Sequence, residues 1–298
     1  MLEGIIPSLP TPFDLEGQVD LPSLRSLVNY LIEKGVHGLG TLALASESYK
    51  LTETERGLVM RTVISETRGR VPVVVASDHT GTYGAVQRSR EAQELGADAV
   101  MVLPPYFIRP DADGLYQHYA AISTGISMPI VVQDSPGLTG VSMSAPFLVR
   151  LSEELEHIHY VKVEEQSAGP KISALVQSAS ERLRVLSGWG GLTILDSLQR
   201  GASGCMPGAD FAPALLRVYQ CFKSGDTAAA RDLFASLLPL LAFAAQSLDA
   251  LIIVAKKILV REGVIANALV RQPAGRFDQF HEAELQALLE RSKAFLYL

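Results

Sequence analysis

Lys162 and Glu164 stand one residue apart in the run Ile158-His159-Tyr160-Val161-Lys162-Val163-Glu164-Glu165. An amine and a carboxylate that meet over one carbonyl compound have a defined chemistry. The amine condenses with the carbonyl to an imine, and the carboxylate moves protons around it. Tyr160, Val161 and Val163 are β-formers, so the run reads as a strand. Side chains alternate on a strand, which puts Tyr160, Lys162 and Glu164 on one face and Val161 and Val163 on the other. The Cα atoms of Lys162 and Glu164 are then roughly 6.6 Å apart, close enough for the side-chain ends to share one small substrate. A surface salt bridge at a strand end has the same spacing. The elements that carry the pair must decide between the two.

Those elements repeat eight times as a short apolar run followed by a stretch of helical period. The expected strands are Gly4 to Pro7, Gly38 to Leu42, Val71 to Ala76, Ala99 to Leu103, Pro129 to Gln133, His159 to Val163, Leu183 to Ser187 and Gly204 to Met206. The expected helices are Leu21 to Glu33, Glu53 to Thr67, Thr82 to Leu95, Asp113 to Thr124, Ala145 to Leu151, Lys171 to Ser180, Leu192 to Arg200 and Pro213 to Phe222. Thr52 precedes Glu55 at capping-box spacing, and Gly35, Gly96 and Gly201 sit where helices should end. Parallel strands need crossover helices and eight of them close a sheet, so an α/β fold of the (β/α)8 TIM barrel type is expected. An open doubly wound sheet is the alternative. It normally carries a phosphate loop after its first strand, whereas Gly188-Trp189-Gly190-Gly191 follows the seventh. The barrel should occupy residues 1–225 and a C-terminal helical extension residues 226–298, punctuated by Pro239 and Gly263. In such barrels the active site lies at the C-terminal ends of the strands, where Lys162 and Glu164 fall.

With 298 residues, 48% hydrophobic and 19% charged, the chain can bury one large core. A formal net charge of −6 and the lack of any Lys/Arg-rich block argue against nucleic acid as a partner. The aliphatic stretch from Leu233 to Val260 is broken by Pro239, Gln246, Asp249, Lys256 and Lys257, which suits a buried helix pair and not a membrane span. Met1-Leu2-Glu3-Gly4 runs into a strand without a signal-type segment, so a cytoplasmic protein is expected. Cys205 and Cys221 have no metal-ligand spacing and read as small buried residues. His157 and His159 lack a third ligand, and no metal is expected.

Several further stretches complete a pattern: Pro10-Thr11-Pro12-Phe13; Gly40-Thr41 through Glu47 to Leu51-Thr52; Gly96-Ala97-Asp98-Ala99 with Pro104-Pro105-Tyr106; Gln133 to Gly140; and Gly201-Ala202-Ser203-Gly204. With Val161-Lys162 these resemble the dihydrodipicolinate synthase and N-acetylneuraminate lyase family over essentially the whole chain. The resemblance implies the eight-stranded barrel, Lys162 as the imine-forming lysine, no cofactor beyond that covalent imine, a small 2-oxo acid as substrate, and a homotetramer.

The departures from the family pattern bear on the reaction. The glycine-threonine-threonine-glycine-glutamate loop after strand two is here Ala43-Leu44-Ala45-Ser46-Glu47, without either threonine. The tyrosine of the strand-five motif is Gln133, the arginine two residues after its proline is Leu138, and the tyrosine after Tyr106 is Phe107. Gln133 has no proton to exchange near neutral pH, so the base for C–C cleavage is missing. Glu164 can instead remove a C3 proton from an imine and protonate a C4 hydroxyl as it leaves, which is a dehydration. It would act as base and then acid if partial burial raised its pKa, while a neighbouring imine cation pulls the other way. The Lys-x-Glu pair with glutamine in the tyrosine position resembles the branch that dehydrates 2-keto-3-deoxy-L-arabonate to 2,5-dioxopentanoate. Lys162 must lose its proton to attack, and burial is the expected means, since a free lysine has a pKa of about 10.4.

Around this pair, the backbone amides of Ala45 to Glu47 with the hydroxyls of Ser46 or Ser48 are the expected carboxylate donors. Glu47 is expected to brace its loop. His79, after strand three, is a candidate for the distal hydroxyls, Tyr106 for the pocket or a subunit contact, and Trp189 for a wall along the substrate chain. Gln133 is a candidate for a hydrogen bond to substrate, and Asp134 reads as a turn residue. Three other readings stay open: a pyruvate-dependent aldolase with another base, a dihydrodipicolinate synthase with a substitute relay, and a non-catalytic barrel that binds a 2-oxo acid without turnover.

Overall fold

A computed structural model of the chain describes residues 1–178 and 182–296. Its eight strands are β1 (Gly4–Ile5), β2 (Leu39–Thr41), β3 (Val73–Ala76), β4 (Ala99–Val102), β5 (Ile130–Asp134), β6 (Ile158–Val163), β7 (Arg184–Ser187) and β8 (Gly204–Cys205). They pair in parallel in the order β1-β8-β7-β6-β5-β4-β3-β2. The sheet curls shut where β1 meets β2. There His37 N donates to Ile5 O and Gly40 N to Pro7 O, both at 2.8 Å, and Ser8 bridges Gly40 on one side and Gly208 on the other. This closure rules out the open doubly wound sheet. Sequences such as Val-Val-Val-Ala in β3 and Ala-Val-Met-Val in β4 are apolar at every position because both faces of these strands are covered.

The helices between strands fall where the periodicity places them, with Leu21–Glu33 and Glu53–Thr67 matching to the residue. Both halves of the capping box form: Thr52 N donates to Glu55 Oε2 at 2.9 Å, and Glu55 N to Thr52 Oγ1 at 3.3 Å. After β5 the structure adds a short turn of helix, Pro136–Thr139, ahead of Ala145–Glu154. The helix expected from Lys171 begins earlier, at Ala168, and runs to Ser178; its expected end at Ser180 lies outside the described residues.

Beyond the last barrel helix, Ala212–Lys223, come Thr227–Ala244, Leu248–Arg261 and Gln279–Leu296. Thr227–Ala244 is long and apolar enough to cross a membrane by length and composition. In the structure it packs against Ala212–Lys223 and against both other helices of the extension. Pro239 was expected to interrupt this region, yet the helix continues through it. Proline removes one backbone bond, and the burial of Leu237, Leu240, Leu241 and Ala244 on neighbouring helices compensates.

Candidate active site

At the C-terminal mouth of the barrel β6 delivers Lys162 beside Gln133 of β5, its direct partner in the strand register. Tyr160, Lys162 and Glu164 project inward as alternation requires; two residues below the lysine, Tyr160 accepts a 2.9 Å hydrogen bond from Leu2 N at its phenol oxygen. Lys162 is 4% exposed and its Nζ lies 2.9 Å from Glu164 Oε1. The other carboxylate oxygen, Oε2, accepts a 2.5 Å hydrogen bond from Gln133 Nε2. A third donor comes from the loop after β7, where Trp189 N reaches Glu164 Oε1 at 3.1 Å. That approach requires Gly188, because a Cβ there would stand 2.3 Å from the Glu164 side chain.

Burial pushes the Glu164 carboxyl upward, but the Lys162 charge, the hydrogen bonds from Gln133 and Lys162 and the Trp189 N–H outweigh it. The group is held below the usual carboxylate range. In the resting site Glu164 is therefore an ionised carboxylate, and the upward shift expected from the sequence is not what the geometry produces. The reason is the count of donors, three around one carboxylate, which spacing alone does not reveal.

The mouth cavity is lined by Lys162, Glu164, Gln133 and Trp189, together with Ala43, Leu44 and Ala45 of the loop after β2. Ser46, Glu47 and Ser48 do not line it. The Ser46 hydroxyl is buried and donates to Leu9 O at 2.5 Å, and Ser46 O accepts from Thr11 Oγ1 at 2.6 Å. Glu47 is fully buried and paired with Lys256 and Lys50, on the far side of its loop from the cavity lining. His79 turns away, its Nδ1 accepting from Gly81 N at 2.9 Å, and lines an outer surface hollow with Tyr83 and Arg88. Tyr106 is partly exposed and outside the cavity. Asp134 is not a turn residue: it closes β5, faces outward and accepts a 2.7 Å bond from Lys171 Nζ.

Two sets of lining residues escaped the sequence reading. Ser8, just beyond β1, lines the cavity, and its place at the end of a predicted strand was a usable signal. Ser247, Leu248 and Leu251 enter from the C-terminal extension. Nothing local in the sequence marks them, because their position depends on how the extension folds back over the barrel. Ser247 also caps its helix, its Oγ accepting from Ala250 N at 3.0 Å. Among the described residues no group of His, Cys, Asp and Glu has the arrangement of a metal site.

A closed parallel barrel with a buried lysine and a carboxylate at the end of its sixth strand defines an aldolase or lyase barrel. The chain belongs to the dihydrodipicolinate synthetase family, whose model matches residues 1–292. It is 35% identical over 297 residues to the L-2-keto-3-deoxyarabonate dehydratase of Azospirillum brasilense, covering 97% of this chain and 94% of that one. To the 4-hydroxy-tetrahydrodipicolinate synthase of Methanopyrus kandleri it is 34% identical over 243 residues, 80% of each chain. The solved structure of the 4-hydroxy-tetrahydrodipicolinate synthase from Methylacidiphilum fumariolicum superposes with a TM-score of 0.93 at 26% identity, covering 99% of this chain and 97% of that one.

Proposed function

We propose that the protein is a dehydratase of a 2-oxo-3-deoxy sugar acid, with 2-keto-3-deoxy-L-arabonate as the substrate and 2,5-dioxopentanoate as the product. The observation that carries this reading is the Glu164 carboxylate, whose Oε1 lies 2.9 Å from Lys162 Nζ and so within reach of the carbon next to an imine formed there. Lys162 attacks the C2 ketone and water leaves as the imine forms. Glu164 removes a C3 proton to give the enamine, and the C4 hydroxyl departs with a proton as a second water. C5 then loses a proton and C3 regains one; hydrolysis of the imine consumes one water and frees an enol that tautomerises to the C5 aldehyde. The net change is loss of one water.

Gln133 supports the same reading in a second way. Its Nε2 is committed to Glu164, so it orients the carboxylate and supplies no base for C–C cleavage. The carboxylate of the substrate is assigned to the amides at the start of the 3-10 turn Leu44–Ser46, the part of its loop that lines the cavity, with Ser8 beside it. No cofactor is required beyond the covalent imine. By resemblance the protein works as a homotetramer. The test is incubation with 2-keto-3-deoxy-L-arabonate and identification of the product. Formation of 2,5-dioxopentanoate is expected; cleavage to pyruvate and an aldehyde would contradict the reading in favour of an aldolase.

A further inference from the structure

The loop after β2 meets the cavity with backbone alone, because Ala43, Leu44 and Ala45 offer no polar side chain to a substrate carboxylate bound there as proposed. The direction of its N–H groups must therefore be fixed from behind. Two 3-10 turns, Leu44–Ser46 and Ser48–Lys50, meet at Glu47, whose φ of 56° lies in the left-handed region that non-glycine residues seldom occupy. Something has to hold it there. Glu47 is completely buried, and both of its carboxylate oxygens are taken: Oε1 by Lys256 Nζ at 2.5 Å, Oε2 by Lys50 Nζ at 3.1 Å and by Arg271 N at 3.0 Å.

Lys256 and Arg271 both belong to the helical extension. Lys256 is itself 0% exposed, donates also to Leu269 O at 2.7 Å, and lies 4.3 Å from the centre of the Phe13 ring. Its helix, Leu248–Arg261, is the one that sends Leu248 and Leu251 into the cavity. One rigid element thus forms a wall of the site and grips the loop on its opposite side. A buried lysine without an anion nearby would be costly, so the pair holds together once the helix is docked. Burial pushes the Lys256 ammonium down to about 8, against the pull of Glu47 and with help from Lys50 and Arg271, which leaves it charged at neutral pH.

We infer that Lys256 is a positioning residue of the active site: through its buried ion pair with Glu47, the helical extension sets the loop Ala43–Glu47 that receives the substrate carboxylate. This rests on the reading of the mouth cavity as an imine-forming site. The extension is then part of the binding machinery, although its lysine never touches substrate.

The test uses the full-length protein and pyruvate, the smallest 2-oxo acid, with borohydride trapping of the adduct on Lys162 as a function of pyruvate concentration. In Lys256→Met the half-saturating concentration should rise about tenfold, the equivalent of one well-placed hydrogen bond to a charged group, while labelling at saturation stays complete. Lys256→Arg, which keeps a cation, should restore binding to within about twofold, a change of under half a kcal/mol. Lys257→Met, which removes the adjacent charge paired with Glu282 instead, should bind as the unaltered protein does. A folded Lys256→Met that melts at lower temperature but keeps its half-saturating concentration would assign Lys256 to stability alone and overturn the inference. Should that variant not fold, Glu47→Gln keeps the shape and the Arg271 amide bond, and the same rise is expected of it; unchanged half-saturation there would overturn the inference equally. Absence of any adduct in the unaltered protein would instead contradict the reading of the site.

Discussion

Glu164 is the residue on which the proposed chemistry turns, because its environment keeps it an anion and its neighbours decide what it can reach. Three donors stabilise its anion in a buried site, where such interactions are stronger than in water. In the proposed reaction, Lys162 becomes an imine and the same carboxylate faces the C3 proton. Replacing Glu164 with Gln should lower turnover by about 10²- to 10⁴-fold, the usual range for loss of a general acid–base, as read from steady-state kinetics. Lys162→Ala should abolish borohydride labelling altogether, as peptide mapping would show. Of this site, the same-face placement of Lys162 and Glu164 was legible from strand alternation, and Gln133 from its place in the family's strand-five motif. The direction of the Glu164 pKa shift was not. It depends on burial being outweighed by the Lys162 charge and the hydrogen bonds from Gln133 and Lys162, with a last contribution from Trp189 N, which a loop 25 residues away brings up over Gly188; no local pattern records that balance.

At the scale of elements, the barrel strands and their helices were readable because each follows its own period and carries its own punctuation. Gly35, Gly96 and Gly201 end helices with φ of 87°, 89° and 95°, values that side chains resist. The segment between the last two helices opens on Gly263, which ends its helix with a φ of 70° in the same way, but nothing local marks where the rest of the segment docks. It is held by Arg271, whose guanidinium bonds Gly17 O at 2.5 Å and Glu55 at the start of the helix Glu53–Thr67. That contact holds the Glu55 carboxyl down at about 2, chiefly through the Arg271 hydrogen bond, from an ordinary value of 4.5. A group with a depressed folded pKa stabilises the fold above its unfolded pKa and loses that contribution as pH falls through the folded one. The stability difference between the unaltered protein and Arg271→Ala should accordingly be full above pH 4.5 and shrink as pH falls towards 2. Urea unfolding of both proteins across that range checks it; a difference independent of pH would show that the contact works by packing and not by charge.

For the whole molecule, the fold follows from the repeat of eight units and the family from the motifs spread along the chain, whereas assembly has to be argued from the surface. Tyr106, Phe107 and Ile108 follow β4 as three consecutive apolar residues, and Phe107 and Ile108 are 77% and 74% exposed. An exposed apolar cluster of this kind is the candidate contact surface of the proposed tetramer. Phe107→Asp is expected to convert the proposed tetramer into smaller species in sedimentation velocity, and an unaltered distribution would place the interface elsewhere. The extension, which reads in sequence as an appendage, proves to supply a wall of the site and the grip on its loop; no periodic signal reports where a terminal segment docks. The central claim at every scale is that Lys162 makes an imine and Glu164 takes the C3 proton from it. Exchange of the pyruvate methyl protons in D2O, followed by proton NMR for the unaltered protein and for Glu164→Gln, measures that step directly. Loss of the methyl signal with the unaltered protein and its persistence with Glu164→Gln, while both are labelled at Lys162 by borohydride, is the predicted result. Equal exchange by the two proteins would contradict the account.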